Sequence, residues 1–422
     1  MMLSFLTTAY ERNRSVIRAY ISMTGGSAGR LVLSLVYFIS VANTLPIDQF
    51  GLFATASAAG IILSRGLAFG FMSPLYRVAT VKPHLIGTYS LGFLAGAAVS
   101  LPLLVPFGAL IYWLTFSGDM SPTVFVTFML SEVIFWRGFE TVVIVLNGTG
   151  RFGAGAWLVI IGTGLRTLAA LAFSLSATHD LAGWSLHYLA ANIASLAVGL
   201  IAFYPRVRLR WRPELYLRRW KDSVTVAGAE VLFYVQSEFD KIVVLAIGGP
   251  AVSGLYAILM RLADLTALPV RSFNTLLVQR IMRAPQTIAS WRTRLLIEAG
   301  VFGVSLAAIA SMAIYLHIFP AGLGRNVAEA SPYVALILLV PAFRNLVEYQ
   351  SELLYATGRT ARRMVNLVFA GGAKIGLLAL LLSASSDVAT WAPALNGLYG
   401  AVYALSFLLT YEALRRPVRR VI

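Results

Sequence analysis

The 422-residue sequence has no cysteine, only four histidines, and 18 acidic residues against 34 Lys and Arg. The missing cysteines exclude disulfides and thiolate chemistry. His84, His179, His187 and His317 are scattered, with no spacing that would hold a metal. Neither a phosphate-cradling glycine loop nor a nucleophile elbow occurs, and no connection between apolar runs has room for a soluble catalytic domain. These absences argue against an enzyme and imply no cofactor.

What the chain does contain is apolar. Hydrophobic residues make up 58% of it, charged residues 12%, and the mean hydropathy is +0.77. No soluble domain of this length tolerates that balance, so an all-α integral membrane protein is predicted. Runs of about 20 apolar residues suffice as helices to cross a hydrocarbon core of about 30 Å. Twelve occur, at 19–43, 51–72, 86–115, 122–147, 154–176, 183–204, 223–247, 251–279, 295–318, 332–356, 363–383 and 391–413.

Basic residues mark the cytoplasmic side of such spans. They crowd alternate segments, from Arg12 and Arg14 through the run at 205–221 to Arg415 and Arg416. The intervening connections carry Asp48, Asp119, Asp180, Glu329 and Asp387 against one basic residue, Arg325. Both termini are therefore expected to be cytoplasmic. The net charge of +16 is spread over many short segments, which fits attraction to anionic membrane lipids and not nucleic-acid recognition. Residues 3–18 are expected as an interfacial amphipathic helix, with no cleaved signal.

The chain also looks doubled. Laid without gaps on residues 24–54, residues 227–257 match at Gly25/Gly228, Ser34/Ser237, Val41/Val244 and across the boxes Gly51-Leu52-Phe53-Ala54 and Gly254-Leu255-Tyr256-Ala257. Six spans per half put the halves in the same direction, as a parallel repeat. The expected division is an N-terminal lobe, 1–212, and a C-terminal lobe, 213–422.

Ionisable residues recur inside the predicted spans. Each costs roughly 2.5–3.5 kcal/mol at the bilayer centre, so each must face protein or water. Glu230, Tyr234, Ser237, Glu238 and Lys241 share one side of the seventh helix, and Arg261, Asp264 and Arg271 one side of the eighth. Spacing suggests local pairs between Arg261 and Asp264, Arg344 and Glu348, and Arg137 and Glu140. Arg30 and Arg65 have no acid in their own helices. Either they pair with Glu132 or Glu140 of the fourth helix or they form an open site for an anion, where guanidinium can grip phosphate oxygens.

The segments DQFGLFATASAAGIIL and EFDKIVVL followed by VSGLYAILMRL, set in twelve spans and two lobes, resemble the polysaccharide or O-antigen flippases of the multidrug/oligosaccharidyl-lipid/polysaccharide exporter superfamily. That resemblance implies a bacterial inner-membrane protein, expected here as a monomer, that moves an undecaprenyl-pyrophosphate-linked oligosaccharide to the external leaflet by alternating access, in company with other polysaccharide-assembly proteins. It makes Arg30, Arg65, Arg261 and Arg271 the headgroup contacts. Glu230, Glu238, Asp240 and Asp264 become the groups that bind a coupling ion or balance charge. The alternatives are a drug or small-molecule exporter of the same superfamily, and a membrane polysaccharide polymerase or ligase.

Overall fold

The computed structural model describes residues 29–415 apart from Arg219, Ala289 and Ser386. The expected interfacial helix at 3–18 and the start of the first span lie outside the described residues. All regular structure among the described residues is helical. The membrane helices are α1 (Gly29–Thr44), α2 (Ile47–Gly70), α3 (Pro83–Thr115), α4 (122–148), α5 (Phe152–Ser174) and α6 (Leu181–Phe203) in the N-terminal lobe. In the C-terminal lobe they are α7 (220–248), α8 (250–283), α9 (Trp291–Ile318), α10 (Arg325–Ile337 and Val340–Ala356), α11 (Thr360–Ala384) and α12 (Val388–Arg415). These twelve helices in two lobes agree with the expected spans.

Acids at the acidic connections do more than set topology. Asp180 Oδ1 accepts from the Gly183 amide at 2.8 Å and caps α6, and Asp387 accepts from the Ala389 amide at 3.3 Å at the start of α12. Asp48 sits in the first turn of α2. Each places negative charge on the positive end of a helix.

One break falls where the seventh and eighth expected spans part, and two were not legible in advance. α7 and α8 form one 64-residue run folded at Gly249, whose φ of 76° suits glycine, with Pro250 following. α10 begins earlier than expected, at Arg325, and its two segments meet at 69°. α2 ends in a left-handed turn at Ala68, Phe69 and Gly70, with φ of 53°, 49° and 70°. Such a turn costs roughly 1–3 kcal/mol per non-glycine residue. It is held by the Ala68 amide donating to Ser100 Oγ of α3 and by Ser223 Oγ of α7 donating to the Phe69 carbonyl, both at 2.8 Å.

At the acidic end the lobes share one core. Phe38, Leu45, Phe53 and Trp184 of the N-terminal lobe belong to the same buried apolar cluster as Val244, Tyr256, Leu259 and Trp391 of the C-terminal lobe. The two repeated boxes meet in it. A Cβ on Gly51 would stand 2.3 Å from the Pro250 carbonyl oxygen, and one on Gly254 would stand 2.0 Å from the Ile47 carbonyl oxygen. Only glycine permits that backbone approach. One residue from each box, Thr55 Oγ1 and Ser253 Oγ share a hydrogen bond of 2.9 Å. Asn43 and Asn326 complete the seal: Asn43 Nδ2 donates to the Leu323 carbonyl and Asn326 Nδ2 to that of Leu45, each at 2.8 Å.

Candidate functional site between the lobes

Toward the basic end the lobes face each other through charged groups. On the α2–α7 flank, Arg65 grips both Glu140 oxygens at 2.8 and 3.3 Å, and the ring of Tyr234 covers its guanidinium at 4.1 Å. Arg137 reaches Glu140 at 3.0 Å and crosses to Glu230 of α7 at 2.9 Å. Arg65, Glu140, Arg137 and Glu230 thus form one chain of alternating charge from lobe to lobe. Glu140 and Glu230 remain 28% and 37% exposed in the middle of apolar helices, so the space they face is a cleft between the lobes.

Within the N-terminal lobe, Glu132 accepts from Ser57 Oγ at 2.8 Å and from Tyr188 Oη, and it lies 3.6 Å from Arg166. Arg166 stacks 3.4 Å over Trp136 and donates to Asn192. Glu132 and Trp136 both belong to a π-helical segment, Leu130–Trp136, whose wider turn displaces them toward these partners.

On the α1–α8 flank the arginines are less compensated. Arg30 is exposed and has no hydrogen-bond or ion-pair partner among the described residues; the charges that act on it are Arg261, Glu140, Arg271 and Arg166, from both lobes. Arg261 donates to Ser34 of α1 and has no carboxylate within 4.0 Å among the described residues. Arg271, 48% exposed, shares Glu348 at 3.1 Å and Asp264 at 4.0 Å.

Several expected pairings change partners. Asp264 pairs with Arg344 at 3.0 Å and not with Arg261, while Glu348 takes Arg271 and not Arg344. Packing of α8 against α10 brings cross-helix partners closer than same-helix neighbours. Arg137 and Glu140 pair as spaced. Arg65 takes the pairing alternative, which removes it from the open cations. Arg30, Arg261 and Arg271 come to one flank.

The four acids set aside for coupling are all salt-bridged: Glu230 to Arg137, Glu238 to Lys241, Asp240 to Lys374 at 3.4 Å and Asp264 to Arg344. Asp240 also accepts from Tyr256 Oη at 2.6 Å and is buried, as is Lys374. One buried acid escaped the sequence reading. Glu298 of α9 lies four residues after Arg294, a spacing that resembles a local ion pair at the helix end. Two crevices lie apart from the arginines, one of about 320 Å³ at the acidic end beside Asp48, Asp119 and Asp180, the other of about 330 Å³ between α3 and α4 and wholly apolar.

No protein-family model matches the chain, and no characterised protein matches it in sequence. Solved structures do. An inward-facing multidrug resistance MATE family transporter of the MOP superfamily aligns over 92% of this chain and 94% of its own, with a TM-score of 0.68 at 12% identity. The fold is that of the MATE transporters. A MATE protein in complex with MaL6 gives a TM-score of 0.65 at 13% identity, covering 96% of each chain. A MOP superfamily transporter from Pyrococcus furiosus Vc1, described as having a binding pocket of reverse polarity that suggests a different function, gives 0.61 at 15% identity over 96% and 97%. With its apolar helices, the MATE fold makes this chain a multi-pass membrane protein.

Proposed function

We propose that this protein exports an anionic, lipid-linked substrate by alternating access, carrying an undecaprenyl-pyrophosphate-linked oligosaccharide to the external leaflet for cell-surface polysaccharide. One observation carries the reading: Arg30 and Arg261, neither with a carboxylate within 4.0 Å among the described residues, gather on the α1–α8 flank of the cleft beside Arg271, which pairs with Glu348 and Asp264. A phosphate-bearing headgroup supplies the missing negative charge, and guanidinium offers it paired, charge-assisted hydrogen bonds. The lipid tail stays in the bilayer while the headgroup crosses the wet cleft. The sealed acidic end and the exposed Arg30 describe a state open toward the basic, cytoplasmic side, in which the headgroup enters.

Export of small molecules is the second reading, favoured by the multidrug-resistance transporters among the structural neighbours. The half-exposed Glu140 and Glu230 are the groups that a cationic drug would meet. Polarity of the cleft separates the two readings.

The test is a deletion strain in which surface polysaccharide and lipid-linked oligosaccharide in each leaflet are measured, with the gene restored as wild type or as Arg30→Ala with Arg261→Ala. Lipid-linked units trapped on the cytoplasmic side in the deletion and the double variant, at normal membrane abundance, support the anionic cargo. Unchanged polymer with new sensitivity to cationic drugs supports the second reading. Units that reach the external leaflet unpolymerised identify a polymerase or ligase.

A further inference from the structure

Glu230, Glu238, Asp240 and Asp264 each face an Arg or Lys, a cation that would lose its counter-charge if the carboxylate were neutralised. Glu298 differs. It is only 4% exposed, yet no Lys, Arg or His nitrogen lies within 4.0 Å of it among the described residues. Its partners are neutral. Oε1 accepts from Gln350 Nε2 at 3.0 Å and Tyr411 Oη at 2.9 Å, and Oε2 accepts from Tyr403 Oη at 2.8 Å.

The surroundings are also short of charge. From α10, Tyr349 feels the Glu298 charge, and its buried hydroxyl has no hydrogen-bond partner. The α8 side is apolar, with Leu277 and Ile281 packed in one cluster with Tyr349. Arg294, one turn earlier on α9, gives its Nε to the Ile288 carbonyl at 2.6 Å and lies 5.9 Å from the Tyr411 ring centre.

A tyrosine hydroxyl can donate or accept by rotating about its C–O bond, whereas guanidinium and ammonium only donate. With Glu298 ionised, Tyr403 and Tyr411 donate to it. Once Glu298 takes up a proton, its own O–H donates to one of those hydroxyls, which turns to accept. The carboxyl thus keeps a hydrogen bond to that hydroxyl in either state, while Gln350 and the other tyrosine go on donating to it. A metal cation is disfavoured, because the donor hydrogens already line the carboxylate.

We propose that Glu298 is a reversible proton-binding site in the C-terminal lobe, the carboxylate of α9 gaining one H⁺ inside the cage of Tyr403, Tyr411 and Gln350, and that a proton gradient acts on the transporter through it. Gln350 follows Glu348 by two positions on α10, so a change in the cage is passed to the helix that carries Arg344 and Glu348 into the cleft. The coupling half of this inference rests on the transport reading above; the proton-binding half does not.

Infrared difference spectroscopy of the full chain in lipid nanodiscs, titrated with pH, tests it without any cargo. The expected result is a protonated-carboxyl band that grows as pH falls, disappears in Glu298→Gln and survives in Glu352→Gln. Tyr403→Phe removes a donor to the charged form, so the midpoint moves to higher pH, by about one unit or tenfold in proton affinity. Because Tyr403→Phe keeps Glu298 itself, it stands in if Glu298→Gln fails to fold. A titrating band that persists in Glu298→Gln, a midpoint unmoved in Tyr403→Phe, or no titrating band while the protein stays folded overturns the site. A band that behaves as expected in a protein whose transport ignores an imposed pH gradient overturns the coupling half alone.

Discussion

The two ends of the interface between the lobes are built from different physics. At the acidic end the lobes meet backbone to backbone at Gly51 and Gly254, with a shared aromatic core and amide latches from Asn43 and Asn326. Toward the basic end they meet through ion pairs and half-exposed arginines. Close packing is all-or-none in distance, since a methyl group that has no room must push the helices apart. Charge pairs in a wet cleft tolerate movement and exchange partners. On the transport reading proposed above, closing and opening belong to the first region and substrate handling to the second.

The sharpest way to break the contrast is to put a side chain where the boxes touch. Gly254→Ile should cost the state closed at the acidic end about 3 kcal/mol, a shift of roughly a hundredfold in its population. Cysteines placed at Asn43 and Asn326 report it, and the absence of native cysteine keeps that measurement clean. Cross-linking should fall steeply in Gly254→Ile; unchanged yield would mean that the glycine contact does not govern closure.

A smaller effect is expected from Arg137→Ala, which strips a buried cation from both Glu140 and Glu230. Breaking a buried pair costs about 3–5 kcal/mol, but partial exposure of both acids lets water take up part of that, leaving about 2 kcal/mol. Thermal unfolding in detergent should show it, with recovery when Glu230→Gln is added. A fall in stability that the second substitution does not relieve would argue that the lobe-to-lobe charge chain is not a unit.

Smallest of all is the Thr55–Ser253 hydrogen bond. Interhelical polar bonds in membranes average about 0.6 kcal/mol, so Thr55→Val should barely move unfolding, and it should leave the Asn43–Asn326 cross-link within about threefold of wild type. A large loss there would shift the credit for closure from the glycines to this polar contact.

Much of the candidate site was partly legible. That Arg137 pairs with Glu140 followed from their spacing, and that Arg65 lacks a partner on its own helix pointed to the fourth helix, where Glu140 holds it. Arg344 and Glu348 misled for the same reason that they attracted notice. Their spacing permits a local pair, but α8 brings Asp264 and Arg271 closer to each of them. Glu298 was overlooked because nothing along the chain announces that two tyrosines of α12 and a glutamine of α10 converge on it.

The sequence by itself determined the medium, the twelve crossings, their two-lobed repeat and the glycine boxes, because bilayer thickness sets helix length and hydropathy is written residue by residue along the chain. Only the tertiary structure decided which charges meet, where α2 and α10 break, that the two glycine boxes seal one end against each other, and which buried carboxylate stands without a cation. Those outcomes depend on the relative placement of helices far apart in the chain, and one-dimensional spacing does not encode it.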